Sequence, residues 1–221
     1  MEQFERNLGY QFKNKALLEV ALTHSSYAHE HQCQSNERME FLGDSVLSII
    51  ISDFLFRKLR REDEGDLSKI RASLVCEQSL ARVARELEVG PALKLGRGED
   101  AAGGRARDSI LSDAFEAILA AIYLDSDIHT AEQWVKKHME QALHAALRGE
   151  SYQDYKTMFQ EAVQKNGPRK IAYRVLSETG PDHHKDFEIE VCVDGKSAGR
   201  GRGQSKKEAE QNAAKTALER I

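Results

Sequence analysis

Three carboxylates open the segment Asn36-Glu37-Arg38-Met39-Glu40-Phe41-Leu42-Gly43-Asp44-Ser45-Val46-Leu47. Steps of three and four residues put Glu37, Glu40 and Asp44 on one helical face. The run from Val46 to Phe56 is apolar on nearly every side and predicts a buried helix. A second acidic helix matches the first. In Asp113-Ala114-Phe115-Glu116-Ala117-Ile118-Leu119-Ala120-Ala121-Ile122-Tyr123, Asp113 and Glu116 lie one turn apart, and small alanines allow close approach of another helix. If the two helices pack, Glu40, Asp44, Asp113 and Glu116 converge into an oxygen-ligand site for a hard cation. Magnesium takes such ligands at about 2.0–2.1 Å and keeps several waters. Paired ions about 3.5–4 Å apart, which activate water and stabilise an oxyanion leaving group, recur in nucleases. The bland alternative is that these acids cap helices or pair with Arg38, Arg71 or Arg107. Asn36 and Asp108 do read as caps. One or two arginines cannot neutralise four carboxylates, however, so a cation site is the better reading. Glu37 and Glu64 are accessory candidates. Glu37 lies where the helix dipole favours an acid anyway. Glu64 falls in the charge run Arg61-Glu62-Asp63-Glu64-Gly65-Asp66, which also reads as a solvated loop.

A second constellation lies near the end of the chain, in Gly199-Arg200-Gly201-Arg202-Gly203-Gln204-Ser205-Lys206-Lys207-Glu208-Ala209. Ser205 and Glu208 have capping-box spacing and fix a helix start. Lys206 and Lys207 then fall in the first turn, where cations oppose the helix dipole. An anion bound there by free N–H groups and two ammonium groups removes the conflict, and a nucleic-acid phosphate is the obvious one. Glycines 199, 201 and 203 read as allowing close backbone approach to it. The spacing excludes a nucleotide P-loop. The competing reading is a lysine pair on a solvated face.

These residues need scaffolding of two kinds. Helix-period apolar residues occur near Lys13–Thr23, Glu37–Arg60, Ser68–Leu87, Ser109–Leu124 and Thr130–Leu147. Gly65, Gly90-Pro91 and the stretch from Gly96 to Gly104 mark connections, the last of them reading as an exposed loop with Arg97, Arg105 and Arg107 nearby. A linker follows at 149–153. Asp154–Lys165 then has a helix pattern. Ile171–Ser177, Asp186–Val193 and Lys196–Arg202 alternate like strands, with turns at Gly180-Pro181 and Asp194-Gly195. Ser205–Ile221 is a final helix. The expected architecture is α+β in two domains: an all-helical unit over 1–148, and an α-β-β-β-α unit over 154–221.

The 221 residues carry 32 Lys+Arg and 36 Asp+Glu, net −4. Met1–Ser151 holds 19 basic against 25 acidic residues, or −6, and the remainder 13 against 11, or +2. An acidic front and a mildly basic back suggest a division of labour. No run reaches the ~18–20 apolar residues of a membrane span. The first residues lack the pattern of a signal peptide. Cys33, Cys76 and Cys192 are scattered without metal-ligand spacing, which fits a reducing, cytoplasmic setting. His29-Glu30-His31 with Cys33 matches no standard zinc spacing and reads as a polar loop. Trp134 reads as core.

Residues 36–47 closely resemble the signature of bacterial ribonuclease III, and Asp113, Glu116 and Ile122-Tyr123-Leu124-Asp125 resemble its second acidic motif. Ala21-Leu22-Thr23-His24-Ser25-Ser26-Tyr27 and Glu64-Gly65-Asp66-Leu67 look like further family segments. Residues 154–221 resemble a double-stranded-RNA-binding domain, in Lys156-Thr157, Gln160-Glu161, Gly180-Pro181-Asp182-His183-His184 and Ser205-Lys206-Lys207-Glu208-Ala209-Glu210. The resemblance implies a magnesium-dependent endonuclease, with manganese as a substitute cation. It would cut double-stranded RNA to 5′-phosphates and 3′-hydroxyls and process ribosomal and other structured transcripts, including messenger and transfer RNA precursors. It also implies a homodimer. By resemblance Glu40, Asp44, Asp113 and Glu116 hold metal, with Asp44 and Glu116 catalytic and Glu37 and Glu64 accessory. Phe41, which the residue pattern alone reads as core, would pack across the dimer interface. Thr157, Gln160, Glu161, His183, Ser205, Lys206 and Lys207 would meet RNA. Two departures from the family pattern are mild: Met39 stands where leucine is frequent, and Asp182 and Asp186 make the RNA-facing loop less basic. The rival reading is a non-catalytic duplex binder of the same fold, or an interaction scaffold. Four carboxylates kept in apolar helices favour the enzyme.

Overall fold

A computed structural model describes residues 2–148, 155–165, 167–180 and 185–221, leaving aside the Lys207 side chain. The chain divides into two compact units, Met1–Tyr152 and Gln153–Ile221.

The first unit is helical: α1 (Glu2–Leu8), α2 (Lys15–Ala21), α3 (Ser25–His31), α4 (Glu37–Lys58), α5 (Glu64–Leu74), α6 (Glu77–Glu86), α7 (Val89–Ala92), α8 (Arg97–Ala101), a 3-10 turn (Gly104–Ala106), α9 (Asp108–Asp125), α10 (Ile128–His138) and α11 (Glu140–Leu147). Helix α9 is its axis. Residues Ala114, Phe115 and Ala117–Ile122 are fully buried, so this helix is apolar on nearly all sides and others must surround it. Helices α2, α4, α6 and α10 pack against it. Trp134 of α10 is buried beside Phe115 and donates its indole N–H to the Leu8 carbonyl at 2.8 Å. The far end of α9 is tied to the amino-terminal segment through Asp125. Its carboxylate accepts from the Tyr10 hydroxyl and from the backbone N–H groups of Lys13 and Asn14, at 2.8–2.9 Å.

Several boundaries differ from the sequence expectation. The long apolar stretch 68–87 is two helices, with Val75 closing α5 and Cys76 at the N-cap position of α6. The stretch 130–147 is likewise split at Met139. Residues 25–31 form a helix rather than a polar loop, capped by the His24 ring nitrogen, which accepts from the Ser26 N–H. The Gly96–Gly104 stretch is exposed over most of 97–103, as expected, but it is ordered as helix α8 leading into the 3-10 turn. Arg105 beside it binds Asp100 and the carbonyls of Gly90 and Leu93, clamping the turn.

Helix α4 is not buried all round. Phe41 is 78% exposed, Ile49 59% and Phe56 73%. Their spacing of eight and seven places them on one face, an apolar stripe along the helix. Phe41 is therefore not core.

The second unit has the order α12 (Tyr155–Gln164), β1 (Ile171–Thr179), β2 (Asp186–Val193), β3 (Lys196–Gly203) and α13 (Lys206–Leu218). The sheet is antiparallel in the order β1-β2-β3, with a tight turn at Asp194-Gly195. Phe159 of α12, Phe187, Ile189 and Val191 of β2, and Ala209, Ala213, Ala214 and Ala217 of α13 form the core. The alanine face of α13 lies directly on the glycines of β3. A Cβ on Gly201 would come within 2.1 Å of the Ala213 nitrogen. Glycines 199, 201 and 203 thus serve helix–strand packing and not approach to a phosphate, because a Cβ on any of them would lie closer than 3 Å to α13 atoms.

Candidate active site

Helices α4 and α9 touch backbone to backbone. A Cβ on Gly43 would sit 1.9 Å from the Glu116 carbonyl oxygen, so only glycine fits. Glu40 lies three residues before this contact and Asp44 directly after it. Asp113 lies one turn before Glu116. One contact therefore brings acids from two helices together.

Glu40, Asp113 and Glu116 are half-buried, and each offers a carboxylate oxygen within 4.8 Å of the others. It is the one such group among the described residues. Asp44 is exposed at the rim, and its charge is the strongest of the like charges acting on Glu116. Glu37 is also exposed. It accepts from the Ser35 hydroxyl at 2.8 Å, and its charge reaches Glu40. Glu64 is not brought into this group. It sits in the first turn of α5, accepts from Ser68 at 2.9 Å, and lines a cleft beside Ile49 and Phe56.

Burial and mutual repulsion load the site. Burial above all, then the charges of Asp44, Asp113 and Glu40, pushes the Glu116 carboxyl up to about 8. Burial raises Glu40 as well, reinforced by Asp113, Glu37 and Asp44. Asp113 is raised by burial, with Ser112 hydrogen bonding opposing it. Among the described residues no lysine or arginine pairs with these acids, and the one charge opposing the shift of Asp113 is that of His24. Arg71 donates to Ser52 at 2.9 Å, Arg107 pairs with Glu99 at 2.6 Å, and Arg38 has no ion pair among the described residues. The ion-pair alternative therefore fails. An acidic oxygen donor set with no lysine or arginine partner fits a divalent cation in its chemistry.

The helix starts differ from expectation. Asn36 holds the N-cap position through its carbonyl, which accepts from Met39 and Glu40, and its side chain makes no cap bond. Asp108 is the first helical residue of α9 and pairs with Arg85. Sequence reasoning missed Gly43 as the residue that sets the site, although a glycine inside an apolar helix was a usable signal. It also missed Glu77 and His24, whose charges act on Asp113. Neither lies in an acidic motif; His24 falls in the family-like segment 21–27, but nothing in that segment tied it to the carboxylates.

In the second unit Thr157, Gln160 and Glu161 are exposed together on α12. Ser205 caps α13, accepting from Glu208 at 3.2 Å, while Glu208 accepts from the Gln204 N–H at 2.8 Å. Lys206 is exposed, with its ammonium 3.7 Å from Glu178 and 5.5 Å from the Phe187 ring centre. His183 and the Lys207 side chain lie outside the described residues. His29, Glu30 and His31 form no metal-binding group. His31 stacks on Tyr27, and Glu30 accepts from the Arg97 N–H at 2.9 Å.

Comparison with known proteins agrees with this division. Residues 14–143 match the Ribonuclease-III-like family model, and residues 155–221 match the double-stranded RNA binding motif. The chain is 50% identical over 217 residues to Ribonuclease 3 of Pelotomaculum thermopropionicum, covering 97% of this chain and 90% of that protein. It is 49% identical over 219 residues to Ribonuclease 3 of Streptococcus pneumoniae, covering 98% and 94%. Among solved structures it is similar to the nuclease domain of ribonuclease III from Campylobacter jejuni. That match has TM-score 0.61 and 43% identity, and covers 63% of this chain and 96% of that one. No described helix is long and apolar enough to cross a membrane. With a helical nuclease unit, a duplex-RNA-binding unit and relatives half identical along nearly its whole length, the chain belongs to the ribonuclease III family of endoribonucleases.

Proposed function

We propose that the protein is a magnesium-dependent endonuclease that hydrolyses phosphodiesters of double-stranded RNA to 5′-phosphate and 3′-hydroxyl ends, with manganese as a substitute cation. Ribosomal and other structured transcripts are the proposed substrates, and the cytoplasm the proposed setting. The observation that carries this reading is the convergence of Glu40, Asp113 and Glu116 from two helices, with no lysine or arginine paired to them among the described residues.

Glu40, Asp113 and Glu116 each turn a carboxylate oxygen to one point and would bind the cation there, with Asp44 completing the set from the exposed rim. Bound magnesium supplies Lewis-acid activation of water and of the scissile phosphate, and neutralises the acids that would otherwise repel RNA. Asp44 and Glu116 orient the attacking water by accepting its hydrogen bonds. Attack of water at phosphorus would form the new P–O bond of the 5′-phosphate and break the bond to the 3′ oxygen, with the water's proton passing to solvent and a solvent proton converting the departing alkoxide to the 3′-hydroxyl. Glu37 and Glu64 assist from outside the cluster, Glu37 through its charge on Glu40. The second unit grips the duplex by shape: Thr157, Gln160 and Glu161 present side chains to 2′-hydroxyls, and Lys206 at the Ser205-capped helix start meets phosphate. Lys207 and His183 belong to the same proposal.

The working form is a homodimer. The stripe of Phe41, Ile49 and Phe56 supports this, because three large exposed apolar residues on one helix face are unusual on a free surface. The structural relative from Campylobacter jejuni is itself described by a region involved in dimer formation.

The test is a long RNA duplex incubated with and without magnesium. Cleavage requires the metal, and Glu116→Gln removes it while duplex binding persists in a gel shift. Loss of several kcal/mol of transition-state stabilisation corresponds to about a thousandfold in rate. Cleavage by Glu116→Gln at the parent rate would remove that residue from the mechanism.

A further inference from the structure

The nuclease unit has a second concave site, on other helices. A cavity of about 600 Å3 opens between α5, α6 and α11, lined by Gln78, Ser79 and Arg82 of α6, Gln141 and His144 of α11, and Arg148 just beyond. No carboxylate lines it, although residues 1–151 carry 25 acids against 19 bases. The remaining lining is serine, leucine and alanine, with no aromatic ring.

Several arginines of the nuclease unit are held by carboxylates. Arg57 pairs with Asp53, Arg85 with Asp108, Arg105 with Asp100 and Arg107 with Glu99. The side chains of Arg82 and His144 make no hydrogen bond or ion pair among the described residues. Arg82, Gln141 and His144 are exposed at the mouth of the hollow, and a guanidinium there, beside amide, hydroxyl and imidazole groups, can engage a tetrahedral oxyanion through two parallel N–H groups. The volume falls in the range of about 300–1,000 Å3 typical of ligand sites. A nucleobase would find no ring to stack on, so the recognised group is the phosphate itself.

We infer that this cavity is a phosphate-binding site separate from the carboxylate cluster, with Arg82 as its anchor. Its ligand is either a backbone phosphate of bound RNA or a free phosphate or pyrophosphate. The first source rests on the duplex binding proposed above. The second does not.

Two measurements on the full-length protein distinguish them. Pyrophosphate is titrated calorimetrically into metal-free protein, which keeps the result independent of the carboxylate cluster. Duplex-RNA affinity is measured against salt in the Glu116→Gln background. Each is repeated with Arg82→Gln and with Gln141→Glu, which places a negative charge in the hollow without shortening a side chain. The expected result is at least a tenfold loss of pyrophosphate affinity in both variants. A salt slope smaller by about one in both variants assigns the site to the RNA backbone. An unchanged slope with lost pyrophosphate binding assigns it to a free phosphate. Parent-like pyrophosphate binding and parent-like slope in both variants overturn the inference.

Discussion

The α-carbon of Gly43 rests against the carbonyl of Glu116 so closely that a methyl group would lie 1.9 Å from that oxygen. The substitution Gly43→Ala must therefore push α4 away from α9. Overpacking of a tight core costs about 1–3 kcal/mol, and a backbone contact cannot yield as a side chain can. The expected outcome is a fall of several degrees in melting temperature and a larger fall in magnesium affinity, since Glu40 and Asp44 move with the helix. Calorimetry and metal titration read the two effects. A stable variant with parent-like metal affinity would contradict the role given to this glycine.

Proton linkage gives a second prediction. The Glu116 carboxyl is raised in the fold to about 8 from an ordinary 4.5. A carboxyl raised in this way favours its protonated form in the native state. Its contribution to stability is full below about 4.5 and is lost as pH climbs through about 8. Glu40 and Asp113 are shifted in the same direction and add to it. Metal-free protein should melt at lower temperature at pH 8 than at pH 6, and Glu116→Gln should flatten that slope. A divalent cation competes with those protons, so its affinity should rise over the same interval. Melting curves at several pH values, with chelator and with magnesium, test both statements.

Substituting the exposed stripe should change assembly without touching the carboxylates. Phe41→Asp puts a charge into the proposed contact between copies, and sedimentation should show a shift from dimer to monomer. Helix content should stay unchanged, because Phe41 is 78% exposed in the single chain. A dimer of parent-like stability would place the contact elsewhere.

Lys206 tests the RNA-facing end of α13. Its ammonium lies 3.7 Å from Glu178, an exposed pair worth little in itself. Lys206→Ala should reduce the salt slope of duplex binding by about one while leaving the cleavage step unaffected once RNA is bound. Glu178→Gln, which releases the lysine, should strengthen binding. Equal slopes in parent and Lys206→Ala would leave the lysine a solvated side chain.

The acidic residues were readable from the sequence because chemistry requires particular types at helical spacing. Glu40, Asp113 and Glu116 stood out as charges in apolar surroundings, and the α-β-β-β-α order followed from the change in periodicity after residue 153. What was not legible depended on contacts between distant residues. The breaks at Val75 and Met139 carry no Gly or Pro, and tertiary packing alone ends those helices. Phe41 looked like core because a single sequence cannot say whether an apolar side chain is covered by its own chain or by another molecule. The β3 glycines looked like a phosphate cradle beside two lysines. Their role became clear only when the alanines of α13 were seen lying on them.

The ties from Tyr10, Lys13 and Asn14 to Asp125, and from Leu8 to Trp134, bear on how the protein is born. During synthesis the amino-terminal helix leaves the ribosome more than a hundred residues ahead of its anchors. Glu5 of that helix can pair early with Lys15 and the Phe12 N–H, but the apolar anchors must wait until nearly the whole nuclease unit has emerged, since closing long loops comes late and exposes apolar surface meanwhile. The carboxy-terminal unit finds its partners within its own short span. Nascent chains stalled before residue 125 should therefore be the ones that chaperones hold and proteases clip.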